Sequence, residues 1–231
     1  MRRWIVFILL VACVLTIACG WSGNTSGSIS PKSKVSLPAA EPQIKETEDV
    51  RPVIVAFGNS LTAGHGVEES ENYPTKLQKK LDDAGYKYRI INAGVSGDTS
   101  AQGLNRLSAI LSLHAKIVIL ELGANDGLRG IPVEETRRNL GSIARSLKDG
   151  GAEVLLAGMR MPPNYGTLYG RAFEGIFTEL AKERGVRLLP FFLDGVGGMA
   201  DLNQEDGIHP TGKGYDIIAE NVWRALKPML R

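Results

Sequence analysis

Val53-Ile54-Val55-Ala56-Phe57-Gly58-Asn59-Ser60-Leu61 decides the reading of this chain. Five apolar residues in a row, rich in β-branched side chains, describe a strand buried on both faces. A strand of that kind belongs to a parallel sheet covered by helices. The run stops at Gly58, so Ser60 falls just beyond the strand's carboxyl end. Open α/β sheets build their sites at those ends.

Working outward, the same punctuation recurs. Glu71–Ala84 carries Tyr73, Leu77 and Leu81 at helical spacing, and Gly85 stops it. Tyr88–Asn92 is a short strand. Ala101–Leu113 places Leu104, Leu107, Ile110 and Leu111 on one helical face. Ile117–Leu122 reads as a continuous apolar run, as a central parallel strand requires. Pro132 suits a first helical position, and Val133, Leu140, Ile143, Ala144 and Leu147 follow as a buried stripe ended by Gly150-Gly151. Val154–Ala157 is a fourth strand. Phe173, Ile176, Phe177 and Leu180 mark a helix that Gly185 closes. Val186–Leu189 is a fifth strand, and Gly214–Leu226 is a helix with Tyr215, Ile218, Val222 and Leu226 inward. Alternation of this kind predicts an α/β fold, a three-layer α/β/α sandwich around a five-stranded parallel sheet.

Far downstream lies Asp206-Gly207-Ile208-His209-Pro210. A hydroxyl attacks an ester at neutral pH only with a base beside it. A histidine serves well when a third group fixes its tautomer. An Asp three residues before a His lets one loop deliver base and orienter together. The chain order is Ser, Asp, His.

Three strand-to-helix loops are dense in small and amide residues: Gly58–Gly64, Asn92–Ser100 and Leu122–Gly127. Each follows a strand, so all three open at one sheet edge. Glycine there lets a backbone N–H approach a substrate closely. An acyl transfer passes through an oxyanion, and loss of one donor to it costs roughly a hundred- to a thousandfold in rate. The backbone N–H groups of Ser60 and Gly97 and the side-chain amide of Asn125 form a candidate three-donor hole.

Four blocks in this order resemble the SGNH (GDSL) hydrolase superfamily. They are Gly58-Asn59-Ser60-Leu61, Val95-Ser96-Gly97-Asp98-Thr99-Ser100, Leu122-Gly123-Ala124-Asn125-Asp126-Gly127-Leu128-Arg129-Gly130 and Asp206-Gly207-Ile208-His209-Pro210. Met161-Pro162-Pro163-Asn164-Tyr165-Gly166 and Leu189-Pro190-Phe191-Phe192 also resemble its bacterial subgroup of acyl-CoA thioesterase I, lysophospholipase and arylesterase. The likeness covers Pro52 to Leu230. It implies a flavodoxin-like sheet, Ser60 as nucleophile, His209 as base and then acid, Asp206 as its orienter, and Gly97 and Asn125 completing the oxyanion hole. It also implies chemistry without metal or organic cofactor. One residue departs from the pattern: the motif that gives the family its name has Asp before the Ser, and this chain has Asn59. That Asp is not a triad member, so the departure bears on pH dependence more than on activity.

Other residues near these blocks carry two readings each. His65 is a loop residue in contact with solvent or with substrate. Asp98, Asp126 and Arg129 fix loops. Asn164 and Tyr165 border the substrate or lie on an ordinary loop. Phe191, Phe192 and Leu193 line an acyl pocket or pack in the core. The expected substrates are carboxylic esters: aryl or short to medium acyl esters and lysophospholipids, with thioesters chemically feasible. The alternatives are a carbohydrate O-deacetylase of the same superfamily and an envelope-binding protein whose site has decayed.

The N-terminus is expected to lie outside the fold. Met1-Arg2-Arg3 is a positive n-region, and Trp4 to Ala18 is almost wholly apolar, the length of a signal-peptide core and short for a spanning helix. Thr16-Ile17-Ala18-Cys19-Gly20 resembles a bacterial lipobox with Cys19 lipidated; Leu10-Val11-Ala12-Cys13 is the alternative. Residues 20 to 51 are rich in Ser, Gly, Pro, Lys and Glu and read as a flexible tether. The expectation is therefore an exported, periplasmic or envelope protein held to a membrane by a lipid anchor. The hydrolase domain spans 52–231. Both cysteines lie in the leader, so the domain has neither disulfide nor thiolate metal site. The formal charge is +2, which gives no reason to expect nucleic acid.

Overall fold

The computed structural model describes residues 49–231. The expected leader, the two cysteines and nearly all of the expected tether lie outside the described residues. Within them, five strands form one parallel sheet in the order β2-β1-β3-β4-β5. These are β1 (Val53–Gly58), β2 (Arg89–Gly94), β3 (Ile117–Glu121), β4 (Glu153–Ala157) and β5 (Arg187–Leu189). Every residue of β1 and β3 is buried, the acid Glu121 at the end of β3 included.

Among the described residues, seven α-helices lie between the strands and an eighth follows β5: α1 (Ser60–Ala63), α2 (Tyr73–Asp83), α3 (Ser100–Asn105), α4 (Leu107–Leu111), α5 (Ala124–Leu128), α6 (Val133–Asp149), α7 (Thr167–Arg184) and α8 (Gly212–Leu226). Helices α2 and α8 pack together, and α6 packs on both α3 and α7. These two groups are the outer layers of the sandwich. Lys76 pairs with Asp216 and Lys80 with Glu220 along the α2–α8 seam. Exposed pairs of this kind contribute little; the apolar faces beneath hold the layer. Leu77 and Leu81 of α2 and Ile218, Val222 and Leu226 of α8 are almost wholly removed from solvent.

Two local differences from the sequence expectation have clear causes. The helix expected over 101–113 is two short helices broken at Arg106. That guanidinium turns back to Asp98 and to the carbonyls of Ala93 and Gly58, at 2.6 to 2.9 Å. Its backbone leaves helical geometry at ψ 11° to make this possible. Pro132 is the N-cap of α6, one residue before the first helical position.

Short α1 was not legible as a helix, yet it positions everything else. Asn59 caps it by accepting from the Leu61 N–H at 2.9 Å. It lies so close to β2 that a Cβ on Gly94 would meet the Ala63 nitrogen at 2.2 Å. Leu120, fully buried in the central strand, gives a direct test of the core. Leu120→Ala should lower unfolding free energy by about 2–5 kcal/mol, read by urea denaturation.

Candidate active site

The Ser60, Asp206 and His209 side chains come together at the sheet's carboxyl edge. Ser60 opens α1 directly after β1. The other two lie on the loop between β5 and α8. His209 Nε2 is 2.9 Å from Ser60 Oγ across 149 residues of chain. His209 Nδ1 is 2.6 Å from Asp206 Oδ2. Asp206 Oδ1 accepts the backbone N–H groups of Ile208 and His209 at 3.0 Å each. One carboxylate therefore folds its own loop and holds the imidazole.

Electrostatics assign the protons. The bond to His209, with the two backbone N–H groups, holds the Asp206 carboxyl down to about 2. An ionised carboxylate only accepts, so Nδ1 of His209 carries the hydrogen and Nε2 presents its lone pair to the Ser60 hydroxyl. That is the tautomer a general base needs. His209 is mostly shielded, whereas Asp206 is two-fifths exposed.

The residues carrying the candidate oxyanion donors, Ser60, Gly97 and Asn125, line one cavity. Ser60 is the first residue of α1, so its backbone N–H has no acceptor within the helix. Gly97 sits at φ 86°, a left-handed turn that glycine makes without strain. Arg129 donates to the Gly97 carbonyl at 3.0 Å and holds that turn from behind. Asn125 Nδ2 donates to the Asp98 carbonyl at 3.0 Å, which fixes its amide beside the same turn. Asp98 is tied to Arg106, and Asp126 accepts from the Ser100 backbone and hydroxyl. The three loop-fixing residues act as expected.

Ser60, Gly97, Asn125 and His209 line one cavity of about 610 Å³. Leu61, Leu128, Met159, Met161, Pro162 and Leu193 supply much of its apolar wall. Phe191 also lines it, with the Arg160 guanidinium 4.8 Å above its ring. Three of the substrate-contact residues expected from sequence do not reach this cavity. Phe192 is fully buried and packs edge-on against Tyr73 at 5.2 Å, because the turn after β5 sends it to the core. Tyr165 donates its hydroxyl to the Leu128 carbonyl at 3.1 Å and stacks on Tyr169. Asn164 is exposed on the turn beyond the wall formed by Pro162 and Pro163. Among the described residues no group of three or more His, Cys, Asp or Glu side chains could hold a metal.

Sequence reasoning missed two residues that hold the site. Gln204 Nε2 donates to the carbonyls of His65 and Pro210 at 2.8 and 3.0 Å, so it ties the nucleophile's loop to the histidine's. Its own N–H donates to the His209 carbonyl at 2.7 Å. Glu121, fully buried at the end of β3, takes hydrogen bonds from Asn59 and Thr62 under the nucleophile. An acid inside an otherwise apolar strand was the available signal. His65 lines the cavity with its ring 4.6 Å from that of His209, so the substrate-side reading of it gains support.

With this geometry in view, comparison with known proteins is decisive. Residues 56–217 match the model of the GDSL-like Lipase/Acylhydrolase family. The chain belongs to that family. It is 45% identical over 178 residues to the esterase TesA of Pseudomonas aeruginosa, covering 77% of this chain and 89% of that protein. It is 41% identical to thioesterase 1/protease 1/lysophospholipase L1 of Escherichia coli K12, covering 77% and 84%. A crystal structure of TesA superposes with a TM-score of 0.76 at 45% identity, covering 77% of this chain and 99% of that one. The chain is accordingly an ester hydrolase of the serine type.

Two outcomes follow from the geometry. Asp206→Asn should lower kcat by about ten-thousandfold, because the amide can favour the wrong tautomer of His209. Gln204→Ala should lower kcat by about tenfold with little change in KM, since a slight drift of one loop against the other spoils the attack geometry. Steady-state kinetics on a soluble ester reads both.

Proposed function

We propose that the chain cleaves esters of aryl alcohols and of short to medium acyl chains, lysophospholipids included, through an acyl-enzyme on Ser60. The observation that carries this reading is the contact of Ser60 Oγ with His209 Nε2 at 2.9 Å, opening on a largely apolar cavity of about 610 Å³. His209 takes the Ser60 proton as Oγ attacks the acyl carbonyl. Asp206 stabilises the imidazolium that forms. The Ser60 and Gly97 N–H groups and the Asn125 amide receive the oxyanion. His209 then gives its proton to the departing alcohol. Water, activated by the same imidazole, releases the acid and restores Ser60.

The cavity supports the substrate class. Leu61, Leu128, Met159, Met161 and Leu193 offer an acyl chain an apolar wall, and methionine adapts readily to chains of differing shape. Thioesters fit the same chemistry, and the Escherichia coli relative is named as a thioesterase and lysophospholipase. The leader supports an envelope location, with Cys19 as the lipidated residue and Cys13 as the alternative. Residues 20–51 would then tether the domain to a membrane.

A p-nitrophenyl ester series from acetyl to palmitoyl tests the substrate class. The reading expects an optimum at short to medium chains and turnover of lysophosphatidylcholine. Activity confined to acetyl groups on a glycan would contradict it and favour a deacetylase. Cys19→Ala should move the protein from the membrane to the soluble fraction while Cys13→Ala should not. The reverse result would assign the anchor to Cys13, and retention in both variants would remove the anchor proposal.

A further inference from the structure

Glu121 lies beside Gly58 in the β1–β3 register and is buried completely. Its partners are neutral. Oε1 accepts from Asn59 Nδ2 at 2.8 Å. Oε2 accepts from the Asn59 backbone N–H at 3.2 Å and from the Thr62 hydroxyl at 2.8 Å. Gly58 leaves the carboxyl its space, since a Cβ there would stand 2.5 Å from Oε2. Tyr73 and Tyr215 face the carboxyl from α2 and α8. The Tyr73 hydroxyl is 3.4 Å from Thr62 Oγ1, and the buried Tyr215 hydroxyl has no hydrogen-bond partner among the described residues.

Asn59 uses both ends of its amide. Oδ1 accepts the Leu61 N–H at 2.9 Å, and Nδ2 donates to Glu121. Ser60 stands between the two anchored residues. Its Oγ must meet His209, and its N–H must meet the oxyanion. Among the described residues no other side chain contributes as many hydrogen bonds to this turn, so the amide and the carboxyl together fix the backbone on which the nucleophile stands.

We propose that Asn59 and Glu121 are positioning residues for Ser60, acting as a buried pair whose donors and acceptors must match. The proposal rests on Ser60 being the nucleophile.

The donor and acceptor pattern makes it testable. In Glu121→Gln the new NH2 faces either Asn59 Nδ2 or the Asn59 backbone N–H. Turning the Asn59 amide to relieve the first clash sets Nδ2 against the Leu61 N–H. Every orientation leaves two donors opposed. Exchanging both residues removes the conflict. In Asn59→Asp/Glu121→Gln, the new carboxylate accepts from Leu61 and from the Gln NH2, and the Gln oxygen accepts from the backbone of residue 59 and from Thr62.

Protonation adds a second signature. Burial pushes the Glu121 carboxyl up to about 8, against the opposing pull of the Thr62 and Asn59 hydrogen bonds. The wild-type pair accommodates both states, because the Thr62 hydroxyl can accept from the acid or donate to the anion. Asn59→Asp alone sets two carboxyls together, and one must keep a proton. Losing it as pH rises places two anions in a dry site and drives the turn apart.

The experiment measures kcat and KM on p-nitrophenyl butyrate from about pH 6 to about pH 10, with thermal melts, for wild type, Ser60→Ala, the two single variants and the exchanged pair. Glu121→Gln should lose about 10- to 100-fold in kcat with KM changed less than about threefold. The exchanged pair should recover to within about fivefold of wild type. Asn59→Asp should gain an alkaline loss of kcat, between about pH 8 and about pH 10, that wild type and the exchanged pair lack. Full kcat in Glu121→Gln, or an exchanged pair no faster than that variant, overturns the proposal. If Glu121→Gln does not fold, the exchanged pair decides: folded and fast supports the pairing, unfolded or slow overturns it. Failure of the nucleophile reading itself would show separately, as turnover retained in Ser60→Ala.

Discussion

Strands that run parallel and are buried on both faces must all leave the sheet at one edge. That constraint organises this molecule. The five strands deliver five connections to the same rim, and four of those connections carry the reacting groups and the oxyanion donors. Helices must return the chain across each face, which is why α2 with α8 and α3 with α6 and α7 form the outer layers. Hydrogen bonds between loops then tune what the topology brings close. Gln204 ties the histidine's loop to the serine's. Arg106 ties the carboxyl ends of β1 and β2 to the Gly97 loop. The 2.9 Å contact between Ser60 and His209 is therefore set by the whole edge.

Two acids in this site behave in opposite ways for reasons of place. Asp206 stands near solvent with one imidazole and two backbone N–H groups aimed at it, and it stays ionised to about pH 2. Glu121 stands behind the nucleophile among neutral partners, and burial raises it to about 8. The first stabilises positive charge as it develops on His209. The second braces the turn under Ser60 while carrying little charge at neutral pH. Environment, more than residue type, separates the two roles.

Much of this was legible in the sequence because the signals were long or clustered. Val53–Phe57 and Ile117–Leu120 are unbroken apolar runs, and parallel strands produce such runs. Ser60, Gly97, Asn125, Asp206 and His209 sit in dense loops directly beyond strands or on one short segment. What escaped was decided by geometry that no spacing carries. Phe191 and Phe192 are neighbours of like chemistry, and only the turn after β5 sends one to the cavity and the other to the core. The break at Arg106 depends on carbonyls 13 and 48 residues away. Glu121 hid inside a strand read as apolar, although an acid there was itself the clue. Gln204 carried no signal at all, since its value lies in two backbone carbonyls on separate loops.

The most direct test of the central claim is covalent labelling with an alkyl fluorophosphonate, followed by intact mass and peptide mapping. A fluorophosphonate reacts fast with a serine hydroxyl where a base takes its proton, donors bind the phosphoryl oxygen and fluoride leaves. The account predicts one adduct per chain, on Ser60, absent from Ser60→Ala and strongly slowed in His209→Ala. An adduct on another residue, or equal labelling of wild type and Ser60→Ala, would contradict it.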